Sequence, residues 1–347
     1  FTPLRRLRGL HADAAFAPSA ITLDLPTVEG ATVVCLSGQA ARDLRGISGY
    51  LPTDRISARI LTEVPDSLLV DVPADFVGTE PIVVNLKGSD AAVIEAGHIV
   101  VRVGANARAD VVLVHEGSAT VAHVVETLVG DGAHLGLVTL QDWAPDTVHL
   151  AHHHLSVGRD AVIKHTSLTF GGDLVRMMID VDYRGPGGDV ELLGVYFADA
   201  GQHLEHRIFI DHDAPQCKSR VLYKGALQGA AAHAVRIGDV LIRKAAEGTD
   251  TYEMNRNLLL TAGARADSVP NLEIETGEII GAGHASATGR FDDDQLFYLQ
   301  ARGISPDVAK RLVVRGFFGE VLHKIGVPMV VDRASETVER ELAITGY

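Results

Sequence analysis

The chain has 347 residues, 46% of them hydrophobic but only 5% aromatic, with 35 glycines and a formal net charge of -14. That charge excludes general nucleic-acid binding, which needs a basic face, and no apolar run approaches the ~20 residues of a membrane span. Two cysteines, Cys35 and Cys217, form neither a disulfide framework nor a CxxC metal pair, which together with the lack of a visible signal peptide points to the cytoplasm. A core this poor in rings must be built from Val, Leu, Ile and Ala, and that suits layered β-structure with small-residue turns.

Residues 1–74 are weakly patterned and are expected to form a small N-terminal cap region. They hold extended runs at ATVVCLSG and SLLVDVP, and Cys35, inside TVVCL, is expected to be buried. Beyond them the chain repeats. VGANARADVVLVHEG starts at 103, VGDGAHLGLVTLQ at 129, VGRDAVIKHTSLTF at 157 and RGPGGDVELLGVYF at 184, so the starts are 26, 28 and 27 residues apart (129−103, 157−129, 184−157). Turns at 213–225, 227–239 and 261–275 continue the style with looser spacing. Leu135 with Leu137, and Ile208 with Ile210, alternate as strand residues do. A unit of this length cannot bury its own apolar face and must stack on its neighbours. The expectation is a mainly β fold, a right-handed parallel β-helix over 75–285, with a β-sandwich of regular hairpins as the alternative.

The remainder, 286–347, is predicted to be a C-terminal helical domain. Asp292-Asp293-Asp294 opens a helix that Gly303 closes. Ser305 followed by Pro306 marks a second start, from which Val308, Leu312, Phe317, Val321 and Ile325 form an apolar stripe, read first as a core stripe and secondarily as a partner surface. A last helix is predicted from about residue 334, at ASETVERELA.

Phosphate-loop, nucleophile-elbow, HExxH and dinucleotide-binding patterns are lacking. Of the 16 histidines, His152-His153-His154 form the densest run. His152 and His154 share a strand face, but spacing identifies no carboxylate or thiol partner, so they are assigned to the outer or edge face of a coil, as are His203, His206 and His212 around a strand. Cys217 falls in a turn and reads as a small buried hydrophobe. His284 differs in lying among small residues, just before the chain leaves the solenoid.

The run HASATGRFDDDQLFYLQARGIS, preceded by SVPNLEIE, resembles the C-terminal signature of the SufB/SufD family of iron–sulfur cluster assembly proteins. Matching residues are Pro270, Leu272, Glu273, His284, Asp294, Gln295, Leu296, Phe297, Tyr298, Leu299, Arg302, Gly303 and Ile304. HRIFIDHDAPQCKSRVLYKGAL and PADFVGTEPIVVNL resemble the family's mid-chain segment and its approach to the β region. The likeness covers about residues 70 to 325. SufB-like members carry a cysteine at the start of a C-D-S-L-L element; the corresponding stretch here is NRNLLL, with Asn255 in the cysteine's place. Ala285 after His284, where SufB-like members tend to carry glutamate, also favours the SufD side, whereas Ala282 stands where some SufD members have a cysteine.

The resemblance implies a β-helix flanked by helical regions and a non-catalytic scaffold subunit of an ATP-dependent cytoplasmic complex, helping to form or release nascent clusters and supporting iron acquisition. It implies pairing with a SufB-like paralogue through the C-terminal end of the β-helix, docking of a SufC-like ABC-type ATPase on the helices near Val308, Leu312, Phe317 and Val321, and a homodimer when the chain is isolated. No tightly bound cofactor is expected in the isolated chain; a transient iron–sulfur cluster is expected in the complex, with His284 as a metal ligand completed by the partner chain. Rival readings are a β-helix carbohydrate-active enzyme, which would need a recurring carboxylate or basic cluster on one face, and a homodimeric scaffold with no cluster role.

Overall fold

The computed structural model describes residues 2–17 and 20–344. The N-terminal elements are β1 (Thr22–Asp24), β2 (Thr32–Ser37), α1 (Gly38–Arg42), α2 (Arg55–Glu63) and β3 (Asp66–Val72). Two long strands follow, β4 (Ile82–Val103) and β5 (Arg108–Val129). Eleven strands of ten residues come next: β6 (His134–Trp143), β7 (Val148–Val157), β8 (Val162–Gly171), β9 (Leu174–Tyr183), β10 (Asp189–Ala198), β11 (His203–His212), β12 (Lys218–Leu227), β13 (His233–Ile242), β14 (Asp250–Leu259), β15 (Arg265–Ile274) and β16 (Gly281–Arg290). Helices α3 (Asp293–Gln300), α4 (Pro306–Leu322) and α5 (Pro328–Ile344) complete the chain.

The expected parallel β-solenoid is what forms. Odd strands β5 to β15 stack in parallel on one side and even strands β6 to β16 on the other. β5 bends through Gly117 and joins the two stacks, its first half pairing with β6 and its second with β7. The sequence repeat corresponds to one corner of the coil. Asn106, Gly132, Asp160, Gly187, Gln216 and Gly248 all have positive φ there. Each donates its N–H to a carbonyl of the next coil, from Asn106 to Asp131 at 2.9 Å through Gly248 to Glu278 at 2.6 Å. At this corner a left-handed residue is needed in every coil, and Gly, Asn and Asp tolerate it best. Sequence periodicity was therefore carried by turn chemistry as much as by apolar residues.

Alternate residues of each strand face inward. Leu135, Leu137, Ile208 and Ile210 sit in the lumen core as their alternation predicted. Outward residues need separate cover. On the even stack, Val138, Phe170, Leu193 and Phe197 pack under Val314, Phe318, Val321 and Val338 of α4 and α5. On the odd stack, Val124, Val148 and Leu174 lie under Leu10, Tyr50 and Ile60 of the N-terminal region. Inside, Tyr196 and Tyr223 lie over glycines of the adjoining strand. A Cβ at Gly225 would stand 1.8 Å from Tyr196 Cε2 and one at Gly194 2.2 Å from Tyr223 Cδ1, so neither position admits a side chain without displacing a ring.

Three expectations change. Cys35 is exposed rather than buried, because β2 lies outside the stacked coils and pairs only with β3. The stripe on α4 is not one face: Val321 is buried and Phe317 partly so, whereas Val308 and Leu312 are 48% and 40% exposed. The packed face is instead Ala309, Val314, Phe318, Val321 and Leu322. Finally, α5 starts at Pro328, ahead of the predicted start near 334, since Val330 and Val331 already turn onto the sheet.

Candidate functional site at the open end of the solenoid

The run His152-His153-His154 is fully covered. His152 and His154 do share a face, but partners absent from the local sequence meet them there. Asp180 and Asp182 on β9 lie 2.7 and 2.8 Å from their Nε2 atoms, and Tyr50 and Ser48 from the N-terminal region lie 2.6 and 2.8 Å from their Nδ1 atoms. Burial would lower the His152 pKa, but the Asp180 and Asp54 carboxylates raise it above the ordinary value. These histidines anchor the N-terminal region to the odd stack. His153 faces the lumen instead and touches His165 at 3.1 Å. Among the later histidines, His206 stacks on Tyr196 inside the lumen and His212 on Tyr183, both buried, so neither lies on an outer face. Cys217 is buried in its turn, as expected, and burial lifts its thiol to about 11.

Strands β15 and β16 end the sheet, each with a partner on one side only among the described strands. Their residues are half-buried to exposed, in contrast to the covered coils before them. Such an edge presents unpaired backbone donors and acceptors. His284 lies on β16 in register with Glu253 of β14. Ala282, two residues earlier, packs on the lumen core, so His284 faces the lumen opening. Its ring is exposed.

A polar cluster fills the lumen behind it. Glu253 and Arg236 are 5% and 4% exposed and face each other at 3.4 Å. Arg236 also lies over the Tyr223 ring, 5.0 Å from its centroid. Asn255, which the resemblance sets at the thiol position of SufB-like chains, is buried and held by four contacts. Its Nδ2 donates to Tyr196 Oη at 3.0 Å and to the Tyr223 carbonyl at 3.3 Å, while its Oδ1 accepts from Ser268 at 2.6 Å and Asn257 at 3.0 Å. An amide fixed this way cannot act as a soft metal ligand. Among the described residues, His284 belongs to no set of three His, Cys, Asp or Glu side chains able to share an ion. Glu253 is the nearest such group by register, and it is engaged by Arg236.

Arg236, Glu253 and the tyrosines were missed from sequence. Glu253 and the tyrosines come from strands about 30 residues apart that the coil register stacks, with Leu192, Val221, Glu253 and His284 in one rung and Gly194, Tyr223, Asn255 and Ser286 in another, while Arg236 reaches Glu253 across the lumen from β13 of the opposite stack. Polar residues recurring at that spacing on inward positions were the available signal.

Helix α3 starts on an Asp292 cap whose carboxylate accepts from the Asp294 and Gln295 amides, so the acidic turn is a helix start. None of its residues is buried, and Phe297 and Tyr298 are exposed beside the exposed Val308 and Leu312 of α4, against which α3 packs. No helix among the described residues is long and apolar enough to cross a membrane.

The parallel solenoid thus ends, among the described strands, in an unpaired edge with an exposed imidazole at its mouth and helices laid along its side. The SufBD core domain of the SUF system for iron–sulfur cluster assembly matches residues 85–317, and the chain belongs to this SufB/SufD family, whose members are scaffold-like components of cluster assembly. It is 53% identical over 351 aligned residues to the iron–sulfur cluster assembly SufBD family protein Mb1497 of Mycobacterium bovis, covering 99% of this chain and 88% of that one. It is 28% identical over 193 residues to the iron–sulfur cluster assembly protein SufD of Escherichia coli, covering 56% and 45%. To the chloroplastic protein ABCI7 of Arabidopsis thaliana it is 29% identical over 218 residues, covering 62% and 45%.

Proposed function

We propose that this chain is the SufD-like, non-catalytic subunit of a cytoplasmic cluster-assembly complex. It pairs edge to edge with a SufB-like paralogue through β15 and β16, and it docks a SufC-like ABC-type ATPase on the exposed side of α3 and α4. The observation that carries this reading is the open terminal edge, where His284 stands at the lumen mouth without further ligands of its own. Pairing would satisfy the backbone groups of that edge and bring a second set of donors to His284. The nascent iron–sulfur cluster is then cargo held between chains, and imidazole can stand beside thiolates in its ligand set. The buried, fully bonded Asn255 supports the SufD-like assignment, because the thiolates must come from the partner. Expressed alone, the chain would pair two copies through the same edge. Nucleotide-driven ATPase dimerisation would bias the paired edge between closed and open states.

The docking half is tested by point substitutions. Removing α4 and α5 outright would strip the outer sheet face that they cover. The double variant Val308→Asp, Leu312→Glu changes exposed positions and leaves that face intact. It is expected to fold and to pair with the SufB-like chain but to lose capture of the ATPase in co-purification. Undiminished capture would place the ATPase elsewhere.

A further inference from the structure

At the opposite end of the lumen lies a second polar cluster that the assembly reading does not use. His115 and His123 on β5 and His149 on β7 are all buried, and one nitrogen from each lies within 4.8 Å of the others. Their ring centroids form a near-equilateral triangle with sides of 5.6, 5.1 and 5.1 Å. Three imidazoles radiating from one ion, with metal–nitrogen bonds of about 2.0–2.1 Å, place their centroids roughly 5.2 Å apart at tetrahedral angles. The observed triangle has that size.

The surroundings orient the rings as they would around an ion. Gln141 is fixed, its Nε2 donating to Thr139 at 2.7 Å and its Oε1 accepting from Trp143 Nε1 at 2.7 Å. The same Oε1 lies 2.6 Å from His149 Nδ1 and accepts its proton, which leaves His149 Nε2 as a bare lone pair. That atom is 3.0 Å from His123 Nδ1, which donates its proton to it in the metal-free chain; an ion would replace that proton, and the spacing is close to the roughly 3.3 Å between two nitrogens on one tetrahedral ion. Gln141 Nε2 donates to His115 Nδ1 at 3.2 Å, so the carbonyl support is given to His149 alone, and His115 would have to release this contact or offer its other nitrogen to an ion. A carbonyl oxygen fixing the distal N–H of an imidazole is the usual outer-shell arrangement of a metal-binding histidine.

The site also has an approach. A cavity of about 530 Å³ between the first coil and the N-terminal region reaches His123, with Cys35, Glu95, Gly97 and His98 on its wall. Gly97 keeps the way open, since a Cβ there would lie 2.7 Å from His123 Cδ2. Glu95 is 1% exposed; its Oε2 accepts from the Ala20 and Ile21 amides at 2.5 and 3.1 Å, while its Oε1 has no hydrogen-bond partner. A buried carboxylate oxygen without a partner is costly unless a cation or water meets it.

We propose that His115, His123 and His149 form a binding site for one divalent first-row transition-metal ion, reached through the Glu95 cavity, with a fourth position left for water. Three neutral nitrogens and no thiolate suit Zn(II), Fe(II) or Co(II). The site is independent of the partner-chain reading, because it is tested on this chain alone.

The experiment titrates tag-free, metal-stripped full-length chain with Co(II) under equilibrium dialysis, recording bound metal and the visible spectrum. The expected result is one Co(II) per chain with the intense ligand-field bands of a four-coordinate site, displaced by Zn(II). His115→Gln and His149→Gln, each checked for an unchanged circular dichroism spectrum, weaken binding by more than about tenfold. His134→Gln, at an exposed position on β6, leaves it unchanged. No stoichiometric binding by the wild-type chain, or only the weak bands of a six-coordinate surface ion, overturns the proposal whatever the variants do. So does full retention of the four-coordinate spectrum in both site variants.

Discussion

Replacing His284 with alanine is expected to abolish cluster maturation while leaving the chain folded and the complex assembled. The side chain is exposed on an end strand, so truncation should change stability by no more than about 0.5 kcal/mol. In the proposed complex pairing would rest on the backbone edge of β15 and β16, which the substitution keeps. What disappears is the exposed imidazole that the proposal places at the lumen mouth as a ligand of the nascent cluster. Anaerobic reconstitution of the co-expressed complex is expected to give wild-type subunit stoichiometry and little cluster absorbance. His284→Cys, which restores a ligand of a different kind, separates lost ligation from lost packing. Unimpaired maturation by His284→Ala in cells lacking their own SufD-like chain would remove His284 from the mechanism.

Acidification is expected to unfold the protein sharply between about pH 6 and pH 5. Seven buried histidines have their pKa values depressed by burial: His115, His123, His149, His153, His165, His206 and His212. Burial brings His115 and His206 down to about 3 and His123, His165 and His212 to about 4. Below the unfolded value near 6.5 the unfolded chain takes up protons that the folded lumen excludes, so stability falls as pH falls through that window. Each site then costs about 2 kcal/mol by pH 5, and the seven together cost roughly 14 kcal/mol, comparable to the 5–15 kcal/mol that typically holds a domain folded. His152 acts in the opposite sense, since its raised pKa favours the folded state at low pH, but it is one group against seven. Trp143, the single tryptophan, is buried beside Gln141 and His149 and reports the transition by fluorescence. Native emission persisting to pH 4 would contradict the account of the lumen.

The coil was legible because its corners are local chemistry. The positive-φ residue falls three positions after each repeat start, at 106, 132, 160 and 187, and these residues stack in the structure. The helix starts at Asp292 and Pro306 were legible for the same reason, as caps that need only their own few residues. Placement across coils was not. Whether Val308 or Ala309 of α4 meets the sheet depends on how the helix lies on Phe170 and Phe197, more than a hundred residues away in sequence. Cys35 sits in an apolar run, but β2 joins the sheet through β3 and leaves that side uncovered. Of the candidate site, His284 was found through its resemblance-bearing run. The Arg236–Glu253 pair behind it and the three-histidine cluster at the other end exist only once the register is known.

The central claim is that β15 and β16 form a paired edge in the working complex. Backbone hydrogen exchange along residues 265–290, measured on the chain alone at a concentration that keeps it monomeric and again in complex with the SufB-like paralogue, tests it most directly. The account predicts that amides of β16 flanking His284 exchange fast in the free chain and become protected by at least about tenfold in the complex, since edge amides gain hydrogen-bond partners. Protection confined to the helices or the N-terminal region, with β15 and β16 exchanging equally fast in both states, would contradict it.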